Sequence, residues 1–341
     1  MRAWTDAPSR RPAGTSVLRA TAGGILALVL VTTASLAAQG MAPPARPAAQ
    51  GDFAGLVDIG GRRLYLECQG TGSPTVILES GYGGGGDGWS QDALQPETPR
   101  PMVLPAVAGF TRVCAYDRPG TLLVGDDVHP SRSDPVPMPR TAEDLVADLH
   151  ALLQAAGVPG PHVLAGHSLG GLLVRLYAST YPDAVAGLVL VDGLSEELDG
   201  LLTPEQWAAY TRNFLLWPPG LEAFPDFERI DLVASAAQMR QAATAVPLRS
   251  LPLSVLSKSE PFDLPPDYDL GFPADALDRA WGLAQDRLAT LVPHARFSIA
   301  SRSGHSIHQE QPALVIEAIR QVVAGVRDRD TWYDLVACCR E

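Results

Sequence analysis

The sequence predicts an α/β protein with a mostly parallel, doubly wound sheet, and three observations carry that prediction. Short apolar runs bounded by Gly, Pro and Asp alternate with longer stretches of helical apolar period, the pattern of strands joined by crossover helices. The pentad Gly166-His167-Ser168-Leu169-Gly170 lies between a strand-like run and a helical one. At 341 residues the chain exceeds a typical domain, and a leader at one end plus an insertion in the middle account for the excess.

In residues 1–38, Arg2, Arg10, Arg11 and Arg19 precede the apolar stretch 25–31 and the small-residue Ser35-Leu36-Ala37. That is the order of an export signal and its cleavage site. The stretch 20–38 is also nearly long enough for a membrane anchor, though Thr32, Thr33 and Ser35 interrupt it. Either way the rest of the chain is expected outside the cytoplasm, secreted or membrane-anchored. Residues 39–52 contain Pro43-Pro44-Ala45-Arg46-Pro47, a stiff extended linker.

The main domain is expected over 53–327. Strands are read at 56–59, 62–67, 75–79, 112–116, 162–165, 187–192, 253–257 and 296–299. Thr141 to Asp144 opens a helix with a capping-box-like start, and Leu145, Leu149, Leu152 and Leu153 give it one apolar face. A helix continues from the pentad through 171–178, and another runs through 314–323. Between Asp192 and Leu251 the strand–helix alternation stops. Residues 194–250 are therefore expected to be a helical insertion, and residues 328–341 a C-terminal tail.

The pentad reads as a nucleophile elbow, in which glycines two residues either side of a serine let two backbones pass closely at a sharp strand-to-helix turn. The helix after it aims N–H groups and a positive dipole end at the site. Serine is a weak nucleophile near neutral pH and needs a base. Of seven histidines, His305 fits best, on a loop between the strand at 296–299 and the helix that follows, at the strand end where open α/β sheets build active sites. His308 is the competitor, read as a capping or surface side chain at the helix entry. His167 is read as packing beside the turn.

These segments, with Ser80-Gly81-Tyr82-Gly83 after a strand, Tyr116-Asp117-Arg118-Pro119-Gly120, and Gly304-His305 through Glu310 and Pro312, give the chain its resemblance. It resembles an α/β-hydrolase and is similar to bacterial members in which a leader or anchor precedes the catalytic domain. The resemblance implies a triad in the order serine, acid, histidine. It leaves two strand ends open for the acid. Asp192 ends the strand after the elbow helix, whereas Glu260, and with less support Asp263, follow the next strand. It also implies an oxyanion hole from the Leu169 N–H and a backbone N–H after the 75–79 strand, for which Tyr82 is the candidate. The insertion resembles the cap that covers the site in many relatives, and Trp207, Phe214 and Trp217 are its candidate pocket residues. An apolar cap implies a hydrophobic substrate moiety. In the usual strand order of this fold Cys68 and Cys114 fall on neighbouring strands, so a disulfide between them is a hypothesis, set against two buried thiols.

The net charge of −12 and the lack of a basic stripe after the leader argue against a nucleic-acid partner. No C-x-x-C or H-E-x-x-H spacing supports a metal, no dinucleotide fingerprint accompanies the glycine run at 83–86, and no cofactor is implied. The expected activity is an exported serine hydrolase cleaving carboxylic esters with a hydrophobic moiety through Ser168, His305 and Asp192. Amide, lactone or thioester hydrolysis or acyl transfer on the same residues stays open, as does a non-catalytic binding protein. Oligomeric state is not legible.

Overall fold

The computed structural model describes residues 51–124, 128–216, 221, 223–264 and 268–337. The leader, most of the linker, Trp217 and the Cys338-Cys339 pair lie outside the described residues.

The described strands are β1 (Phe53–Asp58), β2 (Arg63–Gln69), β3 (Val76–Glu79), β4 (Val113–Tyr116), β5 (Leu122–Val124), β6 (Val128–Pro130), β7 (His162–His167), β8 (Val185–Val191), β9 (Leu253–Lys258) and β10 (Arg296–Ala300). Eight of them form one sheet in the order β1-β2-β4-β3-β7-β8-β9-β10. Pairing is antiparallel from β1 through β2 to β4 and parallel from there on. The antiparallel pair β5–β6 forms a separate sheet for which no pattern in the sequence prepares.

The helices are α1 (Val103–Ala108), α2 (Ala142–Ala156), α3 (Leu169–Thr180), α4 (Leu198–Leu201), α5 (Pro204–Arg212), α6 (Leu232–Ala245), α7 (Ala274–Leu288), α8 (Ile307–Glu310), α9 (Pro312–Arg327) and α10 (Arg329–Ala337). Strand periodicity sorts the core into two layers. Ile77 and Leu164 point to the side of α2 and α3, while Val76, Leu78, Val163 and Ala165 point to the side of α1 and α9. Covering on both faces explains why β3, β4 and β7 are buried along their whole length. The capping box of α2 forms as its sequence suggests: Asp144 Oδ2 accepts the Thr141 N–H at 2.9 Å. In the antiparallel pair β2–β4, Cys68 stands opposite Cys114, and their sulfurs are bonded at 2.08 Å.

Two expectations change. Residues 329–337, expected as tail, form α10, and Trp332 on it is buried against α9 at Gly325. The cap is also smaller than 194–250. α6 buries Leu232 and Met239 in the same core layer as α2 and α3, so it extends the flanking layer of the sheet rather than covering its end. Among the described residues no helix is long and apolar enough to cross a membrane.

The chain runs from β3 to β4 on one side of the sheet and later places β7 on the other side of β3. Loops leaving β3 and β7 therefore diverge and open a crevice at the carboxyl ends of the strands, the switch point where α/β sheets bind ligands.

Candidate active site

Ser168 occupies the turn between β7 and α3 with φ 51° and ψ −120°, a conformation costly for a residue with a Cβ and typical of strained functional turns. The flanking glycines are required sterically. A Cβ on Gly166 would lie 2.3 Å from the Gly170 carbonyl oxygen, and one on Gly170 would lie 2.3 Å from that of Glu79. The turn is pinned by the Ser168 N–H donating to Val191 O at 3.2 Å and by the Ser168 carbonyl accepting from Gly171 and Leu194 N–H at 2.8 and 2.7 Å. Leu169 is the first residue of α3, where N–H groups have no acceptor within the helix.

Asp192 follows β8, fully buried, with φ 44°. Its own N–H donates to Leu256 O at 2.7 Å. Oδ1 accepts the Lys258 N–H at 3.0 Å, and Oδ2 lies 2.7 Å from Nδ1 of His305. Both carboxylate oxygens are thus occupied, which a buried carboxylate requires. The His305 ring lies edge-on to Trp281, with centroids 5.3 Å apart, and beside Phe262 at 5.0 Å. Glu260 and Asp263 are both exposed, so the carboxylate that meets His305 is that of Asp192.

His308 departs from its sequence reading, while His167 packs beside the turn, against Gly81. Both line the same cavity as Ser168 and His305. The His167 ring is centred 4.7 Å from His305 and 4.3 Å from His308. His308 is also packed on Trp89 at 4.8 Å, rather than standing on the surface. Nε2 of His167 is 3.0 Å from the His305 carbonyl oxygen. A carbonyl only accepts, so that nitrogen carries the proton. Burial, then the neighbouring His308 and His305, hold the His167 pKa well below its ordinary value. Burial and His305 lower that of His308 to about 3.

The loop after β3 closes on the elbow. A Cβ on Gly81 would lie 2.8 Å from Nδ1 of His167 and 3.2 Å from the Ser168 Cβ. The Tyr82 ring packs on Phe214 at 4.7 Å and edge-on to Phe227 at 5.6 Å, and its hydroxyl donates to Phe214 O at 3.2 Å. Beneath this loop lies a buried network that sequence reasoning missed. Arg118 donates to Glu79 at 2.6 Å and to Glu228 at 2.7 and 2.9 Å. Arg118 and Glu228 are 110 residues apart, and no local pattern links them. Burial opposes the charge of Arg118, but Glu228 and Glu79 outweigh it and raise its pKa.

Ser168, His305 and Tyr82 open onto a cavity of about 450 Å³. Its apolar wall is Tyr210 and Phe214 from the insertion, then Phe262, Leu264, Leu270 and Trp281 from the chain after β9. Phe214 thus lines the cavity. Trp207 does not; it is half-buried against the core, 6.0 Å from the Tyr210 ring. The wall after β9 was unforeseen, its signal being only the aromatic at Pro261-Phe262. The polar part of the lining includes Asp87, Ser306, His308 and Gln309, and no Lys or Arg is among the described lining residues. Among the described residues no group of His, Cys, Asp and Glu side chains could hold a metal ion.

An eight-stranded, mostly parallel sheet covered on both faces, with a cavity at the switch point, defines a class, the proteins of the α/β-hydrolase fold. The model of the alpha/beta hydrolase family matches residues 76–318, and the chain belongs to that family. It is similar to RutD of Azorhizobium caulinodans, a carbamate hydrolase by name, at 34% identity over 41% of this chain and 44% of that one. It is also similar to efuK of Hormonema carpetanum, a transporter by name, at 27% identity over 79% of this chain and 42% of that one. The chain thus spans less than half the length of these two relatives. YqjL of Bacillus subtilis is 26% identical over 74% of this chain and 85% of its own. Among solved structures, a thermophilic esterase from Thermogutta terrifontis is 22% identical, with a TM-score of 0.53 over 81% of this chain and 99% of that one. Cfl2 from Burkholderia cenocepacia is 19% identical, with a TM-score of 0.56 over 80% and 96%. At these identities the structures share the fold.

Proposed function

We propose that this protein is an exported serine hydrolase that cleaves carboxylic esters carrying a hydrophobic moiety. The observation that carries the reading is the 2.7 Å contact between the buried Asp192 and Nδ1 of His305, a histidine that lines the same cavity as Ser168. With Nδ1–H held by Asp192, Nε2 is left with a lone pair and can act as base. Ser168 Oγ attacks the ester carbonyl carbon as its proton passes to His305. The tetrahedral oxyanion is held by the N–H groups of Leu169 and Tyr82. Its collapse returns that proton to the departing alcohol and leaves an acyl group on Ser168. Water, deprotonated by His305, then releases the carboxylic acid. The aromatic wall accommodates the hydrophobic moiety.

The Cys68–Cys114 disulfide supports an oxidising compartment, in line with the leader-like residues 1–38. The likeness to a protein named as a carbamate hydrolase favours carbamates as a second reading on the same residues. Turnover of p-nitrophenyl esters of graded acyl length, beside a matched carbamate, tests both. Preferred hydrolysis of medium or bulky acyl esters is expected, and preference for the carbamate moves the assignment to the second reading. No turnover of either overturns both.

A further inference from the structure

The loop that carries the Tyr82 N–H is held at backbone groups on both sides of that donor. Arg118 donates to the carbonyl oxygens of Ser80 at 2.9 Å and Gly81 at 2.6 Å. On the other side, the Gly83 N–H donates to Glu228 Oε2 at 2.7 Å. Glu228 also accepts from the Arg118 fork twice, from Nε at 2.7 Å and Nη2 at 2.9 Å. Glu228 is fully buried and Arg118 is 2% exposed. The far end of the network is tied into the sheet, where Glu79 accepts from Arg118 at 2.6 Å and from the Tyr116 hydroxyl at 2.7 Å.

Glu228 belongs to the insertion between β8 and β9, not to the sheet that carries the rest of the machinery. The same stretch supplies Phe214 and Phe227, which pack on the Tyr82 ring. A buried ion pair of this kind contributes little net stability against its desolvation cost, so its best-attested use is to fix one arrangement. Here the groups fixed are the peptides on either side of the Tyr82 N–H. An oxyanion donor works only if preorganised toward where charge develops.

We propose that Glu228 is a positioning residue that sets the oxyanion hole from the insertion, by holding the Gly83 N–H directly and the Ser80 and Gly81 carbonyls through Arg118. The inference rests on the reading of Ser168 as nucleophile and the Tyr82 N–H as oxyanion donor. Glu228→Gln keeps shape but replaces one acceptor oxygen with a donor, which must then face either the Gly83 N–H or Arg118. In the full chain this variant is expected to lose about 10- to 100-fold in kcat per active site titrated with a fluorophosphonate, less than the roughly 100- to 1,000-fold cost of losing one oxyanion donor outright, because the donor is misaligned and not removed. KM for the same ester is expected to stay within about threefold, since ground-state binding lies in the aromatic wall. Affinity for an alkyl boronic acid, which mimics the tetrahedral state on Ser168, should fall in step with kcat. Glu228→Asp should recover part of both, because it restores a carboxylate.

A kcat per titrated site and a boronate affinity both within about threefold of the parent overturn the proposal, as does a loss in Glu228→Gln that Glu228→Asp shares in full. If Glu228→Gln gives no titratable sites, Glu228→Asp carries the same measurement, and unchanged kcat and boronate affinity there overturn the proposal. Ser168→Ala measured alongside separates the two layers. An active Ser168→Ala enzyme defeats the underlying reading, whereas a dead one beside an unaffected Glu228→Gln defeats only this inference.

Discussion

Exchanging Asp192 for asparagine isolates what the buried carboxylate does for His305, because the surroundings permit the amide only one comfortable orientation. Oδ1 receives the Lys258 N–H at 3.0 Å, a backbone donor fixed by the end of β9. If the asparagine turned its carbonyl to His305, its NH2 would face that N–H, leaving donor against donor in a fully buried site at a cost of about 1–3 kcal/mol. The amide therefore turns its oxygen to Lys258 and its NH2 to Nδ1 of His305. Nδ1 must then accept, the imidazole proton moves to Nε2, and no lone pair is left for the serine proton. Serine proteases lose about ten-thousand-fold in kcat on the corresponding exchange, equivalent to about 5.5 kcal/mol of barrier. We expect a loss of that order for Asp192→Asn, measured as kcat at saturating ester on protein of matched thermal stability. Glu260→Gln, altering an exposed side chain, should change kcat by less than about tenfold, under roughly 1.4 kcal/mol. An Asp192→Asn enzyme within tenfold of the parent would refute the role of the buried pair.

Phe214→Ala and Phe262→Ala, each trimming one side of the aromatic wall, should shift acyl-chain preference in kcat/KM across graded esters more than they lower turnover of an acetate ester; equal loss on all substrates would make both residues core only. Folded His308 has its pKa lowered to about 3 and His162 to about 4 by burial, against about 6.5 in the unfolded chain. The unfolded chain thus binds more protons between those values, so their stabilisation is full above pH ~6.5 and is lost as pH falls toward the folded pKa values, by up to about 1.4 kcal/mol per pH unit for each. Tm should accordingly fall on acidification from pH 7 to 4, with a shallower slope in His162→Asn; a Tm that rises over that range contradicts the burial argument. Reducing the Cys68–Cys114 bond, which spans a sequence separation of 46, should lower stability by about 2–4 kcal/mol, seen as a drop in denaturation midpoint with reductant that Cys68→Ser no longer shows.

What could be read from the sequence was whatever a local pattern encodes. Ser168, Asp192 and His305 each sit at the end of a strand whose period is visible, and Ser168 lies within a glycine pattern that backbone sterics demand. The proximity of Cys68 and Cys114 was legible only through the resemblance, since strand order is not written in either segment. The groups that surround Ser168, His305 and Asp192 depend on tertiary contact. His308 looks like a helix-entry residue until α8 folds it onto Trp89 and His167. The Arg118–Glu228 link joins residues with no local signal. α6 carries no aromatic residue and a weak apolar face, so its sequence did not separate a flanking helix from a covering one. The wall from Phe262 to Trp281 begins in an irregular stretch rich in proline, where periodicity says nothing. α10 is short, and a stretch with Trp332 as its one apolar anchor among the described side chains reads as tail.

The central claim is that substrate is carried on Ser168, and trapping that covalent state tests it most directly. The enzyme is reacted with a fluorophosphonate or quenched during turnover of a slow ester, digested, and mapped by mass spectrometry. The account predicts one adduct per chain, on the peptide containing Gly166-His167-Ser168-Leu169-Gly170, absent in Ser168→Ala and strongly slowed in His305→Ala. An adduct on another residue, or ester turnover that persists in Ser168→Ala, would contradict it.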